Sequence, residues 1–489
     1  MRISNSMLKD LPTDVTGPRY DRSSLQQGIM HMSLGGFHRA HAAVYIDDLM
    51  TDHGMRDWAI CGVGLLPGDV RMRDSLVPQD CLYTVRERMH GKERARVIGS
   101  ITHYIFAPEE PEKVFAKMCD PGIRIITLTV TEKGYGFNQG TGEFDPDRDD
   151  IRHDLAEPAR PRTVLGYLAE GLKRRRDAGL KPWTVLSCDN IQGNGSVARK
   201  MVLAFAKLRD ASLAEWIGSN VAFPSCMVDR ITPVTTDADR ASLEARYGLQ
   251  DAWPVVCEPF RQWVIEDHFP EGRPEWEKAG VQMTTDVRPY EMMKIRLLNA
   301  GHFALGYLGY LAGHECVHDT IRDPAFRIFI RRLMDEEVTP LLTPPQGIDL
   351  ASYKDQLLQR FGNEDIKDTL TRICQDGSPK APKFILPSIR ERLAKGTPAR
   401  LLTFAIAGWL RYLSGVDEKG LPISIDDPIA RKLTICAKRG GADPAALLEL
   451  TEVFGTDLPR NAQFTAELSK DLKSIYQHGS VSALAQAIR

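Results

Sequence analysis

The sequence predicts two domains, an N-terminal α/β domain with a doubly wound parallel sheet and an all-helical C-terminal domain. Three observations lead to this fold class. The chain has 489 residues, more than the roughly 250–300 residues that one hydrophobic core supports. Its first part alternates β-rich runs with helical patterns, and beyond about residue 285 the β-rich runs cease. We therefore expect domains at residues 1–285 and 286–489.

The N-terminal domain opens with a strand, a turn and a helix. Residues 28–35 form an apolar run that ends in glycine, and residues 37–50 follow with helical spacing of their apolar side chains. Further strands are expected at 58–65 and 123–130, the latter rich in β-branched residues. Strands that are separated by helices predict a parallel sheet with helices on both faces.

The same alternation continues and then changes character. Two more helices are expected at 161–178 and 196–218, and they precede strands at 183–188, 221–223 and 227–229. The rest of the chain carries amphipathic stretches at 291–314, 325–340, 353–374, 398–414, 428–438, 443–453 and 463–487. Their helical period, without β-rich runs between them, predicts an all-helical domain.

The bulk composition favours small-molecule partners. The chain is 43% hydrophobic and 26% charged with a formal charge of −2, so it has no field that would attract nucleic acid or an anionic membrane. Its nine cysteines form no CxxC pair, which predicts reduced, mostly buried thiols. Neither a secretory signal nor an apolar run of about 18 residues is present. We expect a cytoplasmic protein, a monomer or a small homo-oligomer.

The first turn is suited to a dinucleotide. Glycine after a strand lets the backbone approach a pyrophosphate, and the helix N-terminus offers unpaired N–H groups. In the segment 33–39, Ser33 and His38 stand where a GxGxxG fingerprint has its first and third glycines. The alternative is a plain strand-to-helix turn with a solvated first helical turn. We expect cofactor binding by Gly35, Gly36, Phe37, His38 and Arg39.

Asp69 lies just beyond the second strand, where a dinucleotide fold places an acid on the adenosine ribose. It follows Gly35 by 34 positions, more than the usual interval of about 20. Its charge would repel a 2′-phosphate, which favours NAD and leaves NADP as the weaker alternative. Asp69 is equally well suited to capping the helix that follows.

The start of the helical domain carries polar residues on an otherwise apolar helix. With about 100° per residue, Lys294, His302 and Asn299 fall at roughly 0°, 80° and 140°, so all three can address one cleft. The alternative is a solvated stripe with a histidine satisfied in the core.

These residue types fit the oxidation of a secondary alcohol. The reaction needs a base for the hydroxyl proton and donors for the alkoxide-like oxygen. Lysine serves as the base when desolvation lowers its pKa. Asparagine amides serve as donors, and Asn190 follows a strand at the sheet edge where ligands bind. Lys294 with Asn190 and Asn299 would form a base and a two-donor oxyanion site.

With these residues in view, the chain resembles the mannitol dehydrogenase family of polyol-specific long-chain dehydrogenases. The matching stretches are collinear and span most of the chain. They are residues 35–41 (GGFHRAH), 61–65 (CGVGL), 129–135 (TVTEKGY), 187–190 (SCDN), 227–233 (MVDRITP), 256–260 (VCEPF), Lys294 with Asn299 and His302, and 376–378 (DGS).

The resemblance implies an extended Rossmann domain followed by a helical domain, and NAD-dependent interconversion of a sugar alcohol and its ketose, foremost D-mannitol and D-fructose. It implies Lys294 as the general base, with Asn190 and Asn299 holding the reacting oxygen. The other roles that it implies are proton transfer by Glu291, substrate contact by Asp229, His302, Arg372 and Lys380, and cofactor contact by Thr131 and Glu132. It implies no metal.

Two departures and two alternatives remain. Ser33 stands where the family usually has a glycine, and Gly68 precedes Asp69 where relatives can have a second acid. Within the family, D-arabinitol or a hexuronate such as fructuronate is the alternative substrate, although Glu258 would disfavour a uronate if it lines the site. Outside it, a dinucleotide-binding sensor without chemistry is the alternative, and such a protein needs no lysine base.

Overall fold

The computed structural model describes residues 1–137 and 143–489 and divides the chain into two compact units, Met1–Val287 and Arg288–Arg489. The first unit contains the strands together with helices, and the second is built from helices. The predicted fold class is thereby confirmed. In the described part of the chain, no helix has both the length and the apolar character needed to cross a membrane.

The strands and helices of the first unit are numbered in chain order. Its strands are β1 (Val15–Thr16), β2 (Gln27–Met32), β3 (Ala59–Gly64), β4 (Tyr83–Met89), β5 (Lys92–Ile98), β6 (Ile101–Phe106), β7 (Ile125–Leu128), β8 (Thr184–Ser187), β9 (Cys226–Asp229), β10 (Val255–Cys257), β11 (Gln262–Glu266) and β12 (Gln282–Thr284). Its helices are α1 (Gly36–Ala40), α2 (Ala42–Asp52), α3 (Val70–Leu76), α4 (Pro111–Met118), α5 (Asp149–Ala156), α6 (Val164–Asp177), α7 (Asn194–Arg209), α8 (Ala211–Asn220) and α9 (Asp237–Tyr247).

A five-stranded parallel sheet forms the centre of this unit, with the strand order β6-β3-β2-β7-β8. Successive residues of its strands are buried on opposite faces, as Ile29 and Met30 of β2 belong to different apolar clusters. Burial of both faces explains why β2, β3, β7 and β8 read as apolar runs in the sequence. Strand β6 was not predicted, because it carries the half-buried Thr102 and the exposed His103. The chain runs from β2 to one side and later returns to the other, so the topological switch point lies between β2 and β7.

Two smaller sheets were not predicted, with the orders β1-β5-β4-β10 and β12-β11-β9. Strands β4 and β5 form an antiparallel hairpin in which Met89 pairs with Lys92. The two residues between them, His90 and Gly91, both have positive φ angles, 53° and 72°, as the tight turn of a hairpin requires. These strands carry many charged residues, so they lack the apolar run that identified the central strands.

Two predicted elements of this unit were wrong in detail. The helix expected at 196–218 is two helices, α7 and α8, because Asp210 between them turns to cap the second one through Ser212 N (2.8 Å). Residues 221–223 form no strand. The Ala222 carbonyl accepts a hydrogen bond from Val185 N of β8 (3.0 Å).

The second unit is helical throughout its described residues. Its α-helices are α10 (Arg288–Met293), α11 (Ala300–Leu311), α12 (Val317–Arg322), α13 (Pro324–Arg332), α14 (Leu350–Phe361), α15 (Leu370–Ile373), α16 (Gly377–Phe384), α17 (Leu386–Ala394), α18 (Arg400–Tyr412), α19 (Ala430–Gly440), α20 (Ala445–Leu448), α21 (Thr451–Phe454), α22 (Ala462–His478) and α23 (Ser480–Ala487). Two π-helical turns, Lys294–Asn299 and Leu333–Val338, interrupt the α-helical geometry.

The core of this unit lies along α11, α18 and α22, which contribute buried side chains such as Leu308, Phe404 and Leu468. The helical spacing of their apolar residues made these helices visible in the sequence. Helices α12, α16 and α17 were not predicted, since each is short and the second contains an internal proline, Pro382.

Candidate active site

The carboxyl ends of the central strands bring most of the predicted cofactor residues to one edge of the sheet. Ser33 follows β2, Asp69 follows β3, Thr131 follows β7 and Asn190 follows β8. Because the strands are parallel, these ends meet on the same side. The parallel sheet on which the prediction for Asn190 depends is therefore present.

The turn after β2 has an open space above its glycines. A Cβ atom built on Gly36 would meet nothing within 4 Å, and one on Gly35 would meet only the Ser33 carbonyl, at 4.0 Å. The N–H groups of Ser33 and Leu34 both donate to the Val63 carbonyl (2.9 and 3.1 Å), which fixes the turn against β3. The N–H groups in the first turn of α1 have no intrahelical acceptor, so a pyrophosphate fits this place.

Two of the predicted cofactor residues are buried. His38 is 1% exposed and Arg39 is 0% exposed, so neither forms the solvated helical turn of the alternative interpretation. The His38 ring stacks on His31 with centroids 3.4 Å apart, and Arg39 Nη1 donates to the Trp253 carbonyl (2.5 Å). Their side chains pack inside the unit, while Phe37 is half-buried and stacks on His41. The turn therefore offers its backbone groups to a ligand, and not the side chains of His38 and Arg39.

Sequence reasoning missed the buried histidine stack beneath the turn. His31 is fully buried, and its ring nitrogens contact the hydroxyls of Thr127 (2.8 Å) and Thr129 (2.9 Å). Burial lowers the pKa of His31 to about 3. Burial also lowers the pKa of His38 well below its usual value, with the help of its histidine neighbours. The stack is therefore neutral. The signal in the sequence was the closeness of three histidines, at positions 31, 38 and 41, around one apolar strand.

Asp69 closes the short 3-10 turn Pro67–Asp69 that precedes α3, and its side chain makes no capping hydrogen bond to α3 itself. Its Oδ2 accepts hydrogen bonds from Leu65 N (2.8 Å) and Leu66 N (2.9 Å). Within residues 1–137 and 143–489, no donor reaches its Oδ1. These bonds to the preceding backbone occupy one carboxylate oxygen and leave the other for a ribose hydroxyl. The predicted capping of the following helix is wrong, and the ribose contact stays a prediction.

The residues after β7 and β8 differ in exposure. Thr131, Glu132 and Asn190 are exposed, whereas Asp189 is 5% exposed. Burial raises the pKa of the Asp189 carboxyl, and hydrogen bonds from neighbouring donors oppose this shift. Asp189 was not among the predicted site residues.

Two buried carboxylates lie near the ends of β9 and β10. Asp229 ends β9 and is 5% exposed, and it pairs in register with Gln262 of β11. Glu258 follows β10, is 1% exposed and accepts a hydrogen bond from Ile231 N (2.6 Å). Both are held by the fold rather than projecting from the surface.

In the second unit, the predicted catalytic residues lie on one continuous helical element. Lys294 and Asn299 are the first and last residues of the π-helical turn. At its end, the N–H of Ala300 donates to the carbonyl of Ile295, five residues earlier. The predicted directions of Lys294, His302 and Asn299 were worked out for an α-helix, and the π-helical turn shows that they are wrong. A π-turn brings residues five positions apart onto neighbouring places, so Lys294 and Asn299 lie closer in direction than 140° implies.

The side chains around this turn are largely withdrawn from solvent. Lys294 is 7% exposed and Glu291 is 4% exposed, while Asn299 and His302 are half-buried. The His302 ring lies 4.6 Å from the Phe361 ring. No group in the described ranges hydrogen bonds to the Asn299 side chain, which leaves its amide available to a ligand. A π-turn inside an α-helix is frequent at functional sites.

Arg372 and Lys380 are engaged with their own neighbourhood. The Arg372 guanidinium binds the Asp368 carboxylate through two hydrogen bonds (2.7 and 2.6 Å). Lys380 Nζ donates to the carbonyls of Ile373 (3.2 Å) and Gln375 (2.5 Å), and burial lowers its pKa. These contacts give both residues a structural role. Arg372 and Lys380 can bind a substrate only through N–H groups that these contacts do not use.

One group of metal-binding residue types occurs in the described chain, Cys316, His318 and Asp319, with potential ligand atoms within 4.8 Å of one another. Asp319 accepts from Cys316 N (3.2 Å) and pairs with His318 (3.2 Å). These contacts form a capping box at the start of α12, so we assign the group no metal role.

An open glycine turn at the switch point of a parallel sheet, together with a buried lysine on a helical unit, defines a dinucleotide-dependent dehydrogenase. Comparison with known proteins specifies this class. Residues 27–278 match the mannitol dehydrogenase Rossmann domain, and residues 286–476 match the mannitol dehydrogenase C-terminal domain. The chain belongs to the mannitol dehydrogenase family.

Similar proteins cover nearly the whole chain. A mannitol 2-dehydrogenase of Phaeosphaeria nodorum is 48% identical over 489 residues, 99% of this chain and 85% of the relative. The ternary complex of Pseudomonas fluorescens mannitol 2-dehydrogenase with NAD and D-mannitol is similar with a TM-score of 0.91 and 45% identity, covering 99% of both chains. A substrate-free D-sorbitol dehydrogenase also has a TM-score of 0.91, with 39% identity and coverage of 99% and 100%.

Proposed function

We propose that this chain oxidises a sugar alcohol to a ketose with NAD and catalyses the reverse reduction, with D-mannitol and D-fructose as the foremost pair. The observation that carries this proposal is the π-turn of the second unit, which holds a buried lysine and an amide to which no residue of the described ranges hydrogen bonds. The named activity of the Phaeosphaeria relative, and the bound NAD and D-mannitol of the Pseudomonas complex, support the substrate and cofactor.

The chemistry assigned to the chain follows from these groups. Lys294, as the neutral amine, takes the proton of the reacting hydroxyl while the adjacent C–H bond breaks and the carbonyl forms. NAD, when bound, accepts the hydride. The amides of Asn190 and Asn299 donate to the oxygen as negative charge develops on it. Burial of Lys294 supports its role, because a buried ammonium loses solvation and releases its proton more readily.

The remaining polar residues have supporting roles. Glu291, buried and three positions before Lys294 on the same helix, is assigned to passing the proton from the lysine toward water. His302 and Asp229 are assigned to the hydroxyls of the substrate, and Arg372 and Lys380 to its far end.

The cofactor assignment uses the sheet edge of the first unit. Gly35 and Gly36 leave open space beside the first-turn N–H groups of α1, which have no intrahelical acceptor. This suits the pyrophosphate, and Phe37, His38 and Arg39 shape the turn. Thr131 and Glu132 are assigned to the nucleotide. The free oxygen of Asp69 is placed to accept from the ribose diol and to repel a 2′-phosphate, so NAD is the preferred cofactor.

A second candidate substrate is D-sorbitol, which the similarity to D-sorbitol dehydrogenase favours. A hexuronate is disfavoured if the buried Glu258 lines the site, because its carboxylate would oppose an anionic substrate. D-arabinitol remains the alternative among neutral polyols.

A nicotinamide absorbance assay tests the proposal. The purified chain is assayed with NAD and NADP against D-mannitol, D-sorbitol, D-arabinitol and, in the reductive direction, D-fructose and fructuronate. We expect the highest kcat/KM with D-mannitol and NAD. A higher value with another substrate reassigns the substrate, and inactivity with all of them, despite NADH binding, supports the non-catalytic sensor instead.

A further inference from the structure

The segments that follow β7 and β8 are tied together by one buried carboxylate, that of Asp189. Its Oδ1 accepts a hydrogen bond from the backbone N–H of Thr131 (2.7 Å). Its Oδ2 accepts from the Tyr135 hydroxyl (2.7 Å) and lies 3.3 Å from the Ser187 hydroxyl. Asp189 is 5% exposed, so these bonds form away from water, where hydrogen bonds to an ionised group are strong.

Thr131 has a backbone conformation that its residue type disfavours. Its φ is 62° and its ψ is 173°, a region that essentially only glycine populates. A β-branched threonine is restricted further by its side chain. The conformation persists because the surrounding structure holds it, and the contact that fixes the Thr131 N–H is the one with Asp189. Backbone strain of this kind is concentrated at ligand clamps and active sites.

The main chain of Asp189 is fixed as firmly as its side chain. Its carbonyl accepts from Ile191 N (2.8 Å) and from Asn194 Nδ2 (3.0 Å). Asn194 in turn binds both main-chain groups of Cys226 at the start of β9 (2.8 and 2.9 Å). Residue 190 therefore stands between two positions whose backbone is held, and it is exposed where Asp189 is buried.

The surroundings of Asp189 explain why a carboxylate is needed. Both of its oxygens face donors, the Thr131 N–H on one side and the Tyr135 hydroxyl on the other. An amide at this position has only one accepting oxygen, and its NH₂ group would face a donor. Such a mismatch in a buried place leaves one group unsatisfied, which costs more than the loss of the bond itself.

We infer that Asp189 is a positioning residue that sets the strained Thr131 turn for the nicotinamide nucleotide and the Asn190 amide for the substrate oxygen. This inference rests on the proposed function, in which Thr131 contacts the cofactor and Asn190 the reacting oxygen. The buried side chain of Asp189 then fixes the cofactor loop, and its held main chain fixes the place of the adjacent oxyanion donor.

The test is a double-mutant cycle that combines Asp189→Asn with Thr131→Gly in the full-length chain. Asp189→Asn is expected to weaken NADH binding about tenfold or more and to lower kcat by a similar factor. The KM for the polyol should change less than kcat. Because glycine adopts a positive φ without strain, Asp189→Asn should weaken NADH binding several-fold less in the Thr131→Gly background than in the wild type.

Tyr135→Phe is the matched control, since it removes one donor to Oδ2 and leaves the bond between Oδ1 and the Thr131 N–H. The Kd for NADH of this variant should stay within about twofold of the wild type, because the hydrogen bond from the Thr131 N–H to Asp189 remains. A merely structural role of Asp189 would lower Tm in both variants without this split in NADH binding.

The outcomes separate this inference from the proposed function. Inactivity of the wild type with every polyol overturns the proposed function. The Kd values for NADH of the wild type and the variants still test whether Asp189 positions Thr131. The inference is overturned if Asp189→Asn binds NADH like the wild type, or if its cost is the same with glycine at position 131. Should Asp189→Asn prove too unstable to assay, Asp189→Ala replaces it in the same cycle, because it also removes the acceptor of the Thr131 N–H. An equal loss of NADH affinity with threonine and with glycine at position 131 contradicts the inference.

Discussion

Replacing Asn299 by aspartate should place a negative charge beside the proposed base. Lys294 and Asn299 are the ends of one π-helical turn, and residues on successive turns have Cβ atoms about 5–6 Å apart. Two unit charges at about 6 Å with an effective dielectric constant of about 20 interact by about 3 kcal/mol. That corresponds to about 2 pKa units. Since Asn299 is only half-buried, solvent screening reduces the expected upward shift to about 1–2 units.

The assay is the pH dependence of kcat for polyol oxidation. The reaction needs the neutral amine, so a raised pKa of Lys294 moves the limb that reports deprotonation of the base toward higher pH. Asn299→Ala is the matched control, because it removes the donor without adding charge, and it should cost about 2.7–4 kcal/mol of transition-state stabilisation. Asn299→Asp should be slower still at neutral pH.

The test is the apparent pKa that the pH profile of kcat gives for the base in Asn299→Asp. An upward shift relative to both the wild type and Asn299→Ala agrees with a shared face for Lys294 and Asn299. An unmoved or lowered value refutes the reasoning, because a new carboxylate one turn away from the base cannot leave its titration unchanged.

Three further predictions concern the first unit. Asp69→Ala should lower the NAD-to-NADP efficiency ratio and also destabilise the fold by about 1 kcal/mol through loss of the bonds from Leu65 N and Leu66 N, with Asp69→Asn as the control that keeps an acceptor; an unchanged ratio in both variants leaves Asp69 only this structural role. Ser33→Gly should raise Tm by about 1–3 °C, because Ser33 has φ 69°, which costs an L-residue about 1–2 kcal/mol; a lower Tm contradicts this. His31 has a pKa lowered by burial to about 3, so it is neutral when folded, and its stability contribution is lost as pH falls from 6.5 toward 3. In His31→Gln, denaturation at several pH values should show a slope of unfolding free energy smaller by about 1.4 kcal/mol per pH unit, and an unchanged slope refutes the assignment.

The sequence predicted the elements whose residues share one environment. The central strands are buried on both faces, so β2, β3, β7 and β8 read as apolar runs, and the long helices of the second unit show an apolar stripe. The hairpin of β4 and β5 could not be found in this way, because its strands carry charged residues that pair with other parts of the chain, as Arg88 does with Asp239 (2.9 Å). Such pairing depends on tertiary contacts that local patterns do not contain.

The candidate site was predictable in its residue types but not in its local geometry. The chemistry of alcohol oxidation selected Lys294 and Asn299, yet the π-turn that joins them depends on how the helix packs, and a fixed 100° step cannot represent it. Likewise, Asp189 is adjacent to a predicted residue, but only the folded structure places its carboxylate against Thr131 N. The burial of His38 and Arg39 follows from their neighbours in space rather than from their place in the turn.

The most direct test of the proposed mechanism is the turnover of Lys294→Ala measured together with its affinity for NADH. The base acts in the transition state and not on the nucleotide. The account therefore predicts that kcat for polyol oxidation at neutral pH falls by several orders of magnitude, while the Kd for NADH stays close to that of the wild type. Near-normal turnover in this variant would contradict the assignment of Lys294 as the general base, and with it the proposed mechanism.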